Sequence, residues 1–199
     1  MRFAKLLLVV AVVVLSGCAA TAYKTSRAAD LKVTSDTYSP FKEFVVVMKA
    51  IPFTDTAAVE ITSKHQWYGL GGYVELVGKR LVKNAEVNGV VLTFVDQTSP
   101  YRAPEPLVVP VKTTTVLLTP TKYVTSRRSD GVTSYSIVYK ATVFVPRTIT
   151  PQVEFSVTLM PPSVFDKEYV ADTFVIPFLN TLGDAKLIVL PDLNAKVAP

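Results

Sequence analysis

The stretch Gln152-Val153-Glu154-Phe155-Ser156-Val157-Thr158-Leu159 alternates polar and apolar side chains without a break. A period of two places Val153, Phe155, Val157 and Leu159 on one face of an extended chain and the polar residues on the other. Wound as a helix, the same residues would scatter around the axis and leave no dry face. Tyr135, Ile137, Tyr139, Ala141, Val143 and Val145 share a face in the same way, opposite Ser134, Ser136, Lys140 and Thr142. Glu43–Ile51 and Val90–Val95 are near-continuous apolar runs, which suit central strands covered on both sides. Val59 and Ile61 alternate with Glu60 and Thr62. Leu107–Val111, Thr113–Leu118, Tyr123–Ser126, Thr173–Phe178 and Lys186–Leu190 complete the predicted strands, with an edge strand around Leu31–Thr34.

Turn chemistry points the same way. Asn88-Gly89 between Glu86-Val87 and Val90-Val91 reads as a two-residue hairpin turn, and Ser129-Asp130-Gly131 as the turn joining Lys122–Arg127 to Val132–Val145. Prolines 100, 104, 106, 110, 120, 146, 151, 161 and 162 punctuate strand ends, and the Tyr101–Pro110 segment reads as a proline-blunted edge. No stretch beyond residue 17 shows an apolar helical period sustained for three turns; the short-helix candidates are Lys79–Ala85 and Ser163–Tyr169. The expected fold is therefore all-β, a two-sheet antiparallel β-sandwich, immunoglobulin-like or transthyretin-like, with a closed barrel second. A chain of 199 residues, 49% apolar and 19% charged, has enough core for one such domain and is not disordered. Its lone cysteine excludes an intrachain disulfide and a Cys-rich zinc module.

The chain opens with Met1, Arg2 and Lys5, then the ten-residue apolar run Leu6–Leu15, then Ser16, Gly17 and Cys18. A membrane-spanning helix needs about 20 apolar residues, so the run is too short to cross a bilayer and has the form of a secretory signal peptide. Leu15-Ser16-Gly17-Cys18 resembles the lipobox of bacterial lipoproteins. That resemblance implies cleavage before Cys18, a diacylglycerol on its sulfur and a third acyl chain on its amine. Each buried CH₂ contributes about 0.8 kcal/mol, so several chains hold firmly where one would not. Ala19 rather than Asp follows the cysteine, which in enterobacterial-type sorting implies the outer membrane. The expected organisation is residues 1–17 as signal peptide, 18–37 as acylated N-terminus and tether, and 38–199 as a single β-sandwich domain.

After cleavage the net charge falls from +5 to +3, with 19 Lys+Arg against 16 Asp+Glu. Nucleic-acid binding needs a clustered basic face and is not expected. The tight basic groups Lys79-Arg80-Lys83 and Arg127-Arg128 read as solvated loop ends, or as a modest contact with lipopolysaccharide phosphates or an acidic partner. A catalytic reading is thin. His65 is the chain's one histidine, so a serine hydrolase would depend on it, and no Gly-x-Ser-x-Gly stretch exists to present the serine. Asp166, Glu168 and Asp172 are the nearest carboxylate cluster for calcium, at a spacing that matches no loop pattern. Gly69-Leu70-Gly71-Gly72 followed by Gly78-Lys79-Arg80 fails as a phosphate loop on spacing, and Tyr73–Val77 between them reads as a strand.

No cofactor or metal is expected. Trp67, Tyr68 and Tyr73 around that glycine turn are the candidate recognition patch, with Arg127 and Arg128 as further binding candidates. The reading that burial of large aromatics favours for Trp67 is a plug in the core, ahead of a place in that patch. The expected function is that of a lipid-anchored, periplasm-facing, non-enzymatic binding or structural component of an envelope assembly with a protein partner. Glycan, lipid or small-molecule binding through Trp67, Tyr68 and Tyr73 is the alternative, and a hydrolase dependent on His65 the last choice.

Overall fold

The computed structural model describes residues 26–34, 39–49, 71–98, 105–127, 131, 133–160 and 167–190. They form strands β1 (Ala29–Val33), β2 (Glu43–Lys49), β3 (Val91–Gln97), β4 (Thr114–Arg127), β5 (Thr133–Phe144) and β6 (Val153–Leu159), with helix α1 (Gly71–Val87) before β3 and α2 (Lys167–Asp184) after β6. The strands make one six-stranded sheet in the order β1-β6-β5-β4-β2-β3. β2 is parallel to both β3 and β4, whereas β4, β5, β6 and β1 run antiparallel to their neighbours. The fold is thus α/β with a single mixed sheet, and the expected two-sheet sandwich is wrong.

The dry face of the sheet is where sequence alternation placed it. Val153, Phe155, Val157 and Leu159 of β6 and Ile137, Tyr139, Ala141 and Val143 of β5 are all buried, with Val145 just beyond. What covers them is helical. α1 contributes Tyr73, Val74, Val77, Leu81 and Ala85 to the same core, and α2 contributes Ala171, Phe174, Val175, Phe178, Leu179 and Leu182. The α2 set recurs at intervals of three and four over three turns, which is an apolar helical face. The expectation that no such period exists fails here, as do the strands expected at Tyr73–Val77 and Thr173–Phe178. Thr173, Val175 and Ile176 favour strands locally, and Pro177 inside α2 removes a backbone donor. Burial of one whole face outweighs those preferences, because helical stability in proteins comes mainly from packing. The short-helix candidates mark parts of the real ones: Lys79–Ala85 lies within α1, and Ser163–Tyr169 meets only the start of α2.

Asn88-Gly89 is a helix stop and not a hairpin. Gly89 adopts φ 69°, the left-handed conformation that suits glycine. Its N–H donates to Glu86 O at 2.9 Å and that of Val90 to Ala85 O at 3.0 Å, the paired bonds of a Schellman cap. α2 ends in the same manner, with Lys186 at φ 57° and Leu187 N–H bonded to Leu182 O at 2.9 Å. Leu187 and Ile188 are buried by this turn, so the strand expected at Lys186–Leu190 is absent. The hairpin expected between Lys122–Arg127 and Val132–Val145 holds, since Arg127 of β4 pairs with Thr133 of β5, while Ser129 and Asp130 of its turn lie outside the described residues. Thr113–Leu118 and Tyr123–Ser126 belong to one strand that runs through Pro120, with a register shift between Pro120 and Lys122.

The stretch expected as strand Leu107–Val111 is instead a connection from β3 to β4. It passes the sheet face away from the helices, where Lys49 donates to Glu105 O and Val111 is buried. β1 is the expected edge strand, inside the segment read as tether. The chain leading into it is docked on α2: Ala28 N–H donates to Thr181 Oγ1 at 2.9 Å, Asn180 Nδ2 to Ser26 O at 2.9 Å, and Arg27 pairs with Asp184. Val59 and Ile61 lie outside the described residues.

The two caps make opposite predictions. Lys186→Gly relieves a left-handed side chain and raises stability by about 0.5–1 kcal/mol, whereas Gly89→Ala lowers it by about 1 kcal/mol. Urea unfolding midpoints of the two variants measure both signs.

Candidate functional site

α1 has three functional sides. One faces the core. A second carries Arg80, which binds α2: Nε donates to Asp172 Oδ1 at 2.6 Å, a second guanidinium nitrogen pairs with Asp172 Oδ2, and Nη1 reaches Glu168 Oε2 at 3.2 Å. Burial raises the Asp172 carboxyl above the usual aspartate range, a cost that the bidentate guanidinium offsets. Glu168 and Asp172 therefore tie the helices together and do not stand open for calcium, while Asp166 lies outside the described residues. No group of three or more His, Cys, Asp or Glu among the described residues could hold a metal ion.

The third side of α1 faces the edge of β3, which pairs with no further strand among the described residues. Glu75, Gly78, Lys79, Val82, Lys83 and Glu86 recur at helical spacing along it, and with Phe94 and Asp96 of β3 they line a groove of about 540 Å³. Gly78 makes the floor possible, since a Cβ there would lie 2.8 Å from Phe94 Cε1 and closer still to Cδ1. Gly78, Val82 and the ring of Phe94 form an apolar strip between charged walls. Glu75 and Lys79 pair at 2.5 Å across one helical turn, and this hydrogen bond and charge pull the Glu75 carboxyl below its usual range. Asp96 accepts from Thr98 N–H at 2.8 Å and from its hydroxyl at 2.6 Å, closing the end of β3. Lys83 and Glu86 have no ion-pair partner among the described residues. The polar groups of the groove are two lysines and three carboxylates around an apolar floor, a set suited to recognising an amphipathic ligand.

The sequence-predicted site residues do not converge. Tyr73 is on α1 with 5% of its surface exposed, and burial pushes its phenol above the usual tyrosine range. Its hydroxyl has no hydrogen-bond partner among the described residues. A surface patch therefore does not include Tyr73. Trp67, Tyr68, His65, Arg128 and Cys18 lie outside the described residues, and Arg127 is described by its backbone alone, at the last pair of β4 with β5. The cluster Lys79-Arg80-Lys83 is helical and not a loop end, and it divides: Arg80 turns to α2, while Lys79 and Lys83 line the groove. The spacing of Glu75, Lys79, Lys83 and Glu86 was the available signal, visible once that stretch is read as a helix.

No family model matches the chain, and no curated protein matches it either. What the fold and site define is a class: a two-layer α/β domain with an amphipathic groove at one edge of its sheet. No helix among the described residues is long and apolar enough to cross a membrane.

The Arg80 link yields a double-mutant prediction. Arg80→Leu leaves Asp172 half-buried and unpaired and costs about 1–3 kcal/mol. Adding Asp172→Leu recovers most of that loss. Thermal unfolding of both single variants and the double variant reads the coupling.

Proposed function

We propose that the protein is a lipid-anchored, periplasm-facing component of an outer-membrane assembly, held by acylated Cys18 and working by binding rather than by catalysis. The observation that carries this reading is Leu15-Ser16-Gly17-Cys18 directly behind a basic start and a ten-residue apolar run. The docking of Ser26–Ala28 on α2 supports it. Only residues 19–25 separate Cys18 from docked chain, so an extended tether spans at most about 28 Å from Cys18 to Ser26. The domain would then stay close to the bilayer surface. In the sheet order, β1, which follows the tether, and β3, which borders the groove, are at opposite edges. At about 4.8 Å per strand spacing the groove is some 24 Å across the sheet from β1. A binding site so placed is separated from the edge where the chain is held.

The test is acylation in cells. Radiolabelled palmitate enters the wild-type chain and not Cys18→Ser, and that variant moves from the membrane fraction to the soluble one. A mature wild-type chain that carries a free Cys18 thiol overturns the proposal.

A further inference from the structure

We infer that β3 is a docking edge, and that an extended segment of a partner protein joins the sheet there as a seventh strand with its side chains in the α1–β3 groove. The inference rests on the binding function proposed above and names its site and the chemistry of its partner.

The two edges of the sheet are unlike. β1 is blunted: its register with β6 is irregular between Ala29 and Lys32, Asp30 has φ 56°, and Lys32 stands in the strand. Irregular pairing and an edge lysine are the features that keep other chains from adding to a sheet. β3 has none of them. Its seven residues keep an unbroken parallel register with β2 and include no proline, lysine or bulge.

Backbone geometry shows which groups are available. Val91 N–H donates to Lys42 O at 2.8 Å, toward β2. Backbone groups alternate sides along a strand, so Leu92, Phe94 and Asp96 direct their N–H and C=O outward. None of these groups has a backbone partner among the described residues. A row of such donors and acceptors is complementary to another extended chain, which satisfies them at a spacing of about 4.8 Å.

The groove beside that row selects the side chains. An apolar residue of the incoming strand fits over Phe94 and Val82. Lys79 is engaged with Glu75, which leaves Lys83 and Glu86, about 4.5 Å apart along the helix axis, to meet charges on the partner. Residues two apart on a strand are about 6.6 Å apart on one face. The fitting segment therefore carries an acidic and a basic residue two positions apart, with apolar neighbours.

A second copy of this chain does not satisfy that requirement. Antiparallel pairing of β3 with its own image would set α1 against α1 in reverse. The acidic, basic, basic, acidic order Glu75, Lys79, Lys83, Glu86 then opposes Glu75 to Glu86 and Lys79 to Lys83. Like charges across such a contact disfavour the pair.

Site-specific photocrosslinking tests this in the intact lipoprotein in cells, with p-benzoylphenylalanine in place of Thr93 on β3 or Leu31 on β1. The expected result is a light-dependent adduct from Thr93 and none from Leu31. Mass spectrometry of its digest should place the link in a partner segment of alternating apolar residues with paired opposite charges. Lys83→Glu at an unchanged urea midpoint, and separately Asp96→Pro, which removes an outward N–H without touching β2 but gives up the Thr98 hydrogen bonds to Asp96 and so lowers the midpoint, should each lower the adduct yield about tenfold. No adduct from Thr93, equal adducts from both edges, an adduct at twice the chain's own mass, or a yield indifferent to both substitutions would each overturn the inference. Palmitate labelling of the same cultures keeps the two readings apart. Failed docking leaves the label present and the crosslink absent, while failed anchoring does the reverse.

Discussion

Phe174 and Phe178 of α2 lie stacked with ring centroids 6.2 Å apart, and each meets the sheet at an aromatic partner: Phe174 edge-on to Tyr139 at 6.3 Å, and Phe178 against Phe155 at 5.6 Å. This contact joins the last helix to the middle of the antiparallel meander, and the remaining architecture depends on it. With α2 seated over β5 and β6, α1 has the space above β2 and β3, and Arg80 holds the two helices side by side. Aromatic side chains contribute large apolar area plus a preferred geometry, so the contact both drives the packing and orients it.

One-sided coverage has consequences for the rest of the molecule. Both helices lie on one face, so the opposite face over β5 and β6 keeps its polar residues, among them the Lys140–Glu154 pair at 2.6 Å. Neither edge of the sheet is closed by another described strand. α1 crosses near the β3 edge at the level where Gly78 admits the Phe94 ring, and the groove is the space left between the outward side of that helix and β3. A side chain at position 78 would lift the helix off β3 and remove the floor.

The strands were legible because their signal is local. Alternation in β5 and β6 names the buried residues almost one by one, and β2 and β3 appear as apolar runs close to their true bounds. The helices were obscured by composition. α1 holds four valines among its residues and α2 is rich in β-branched residues with a proline inside, so local propensity argued for strands against the three-and-four spacing of the apolar positions. Asn88-Gly89 misled for a related reason. A left-handed glycine serves a hairpin and a helix cap equally well, and the choice is made by the bond from Val90 N–H back to Ala85, which exists only when the preceding residues are helical. The groove was half visible: Lys79 and Lys83 stood out as basic residues, but nothing near them in sequence points to Phe94 or separates them from Arg80.

By itself, the sequence determined which residues turn inward along β5 and β6, that β4 and β5 form a hairpin, and a leader that resembles a lipoprotein signal. Each of these is set by neighbours a few positions away. Only the tertiary structure decided that the inward face meets helices and not a second sheet, that β2 sits between two parallel partners, and that among the described strands one sheet edge is irregular and the other regular. An apolar face specifies that it must be covered but not by what, because helix and sheet bury the same side chains at similar gain per unit area. The covering layer is settled by which segments can present a matching face at the right distance.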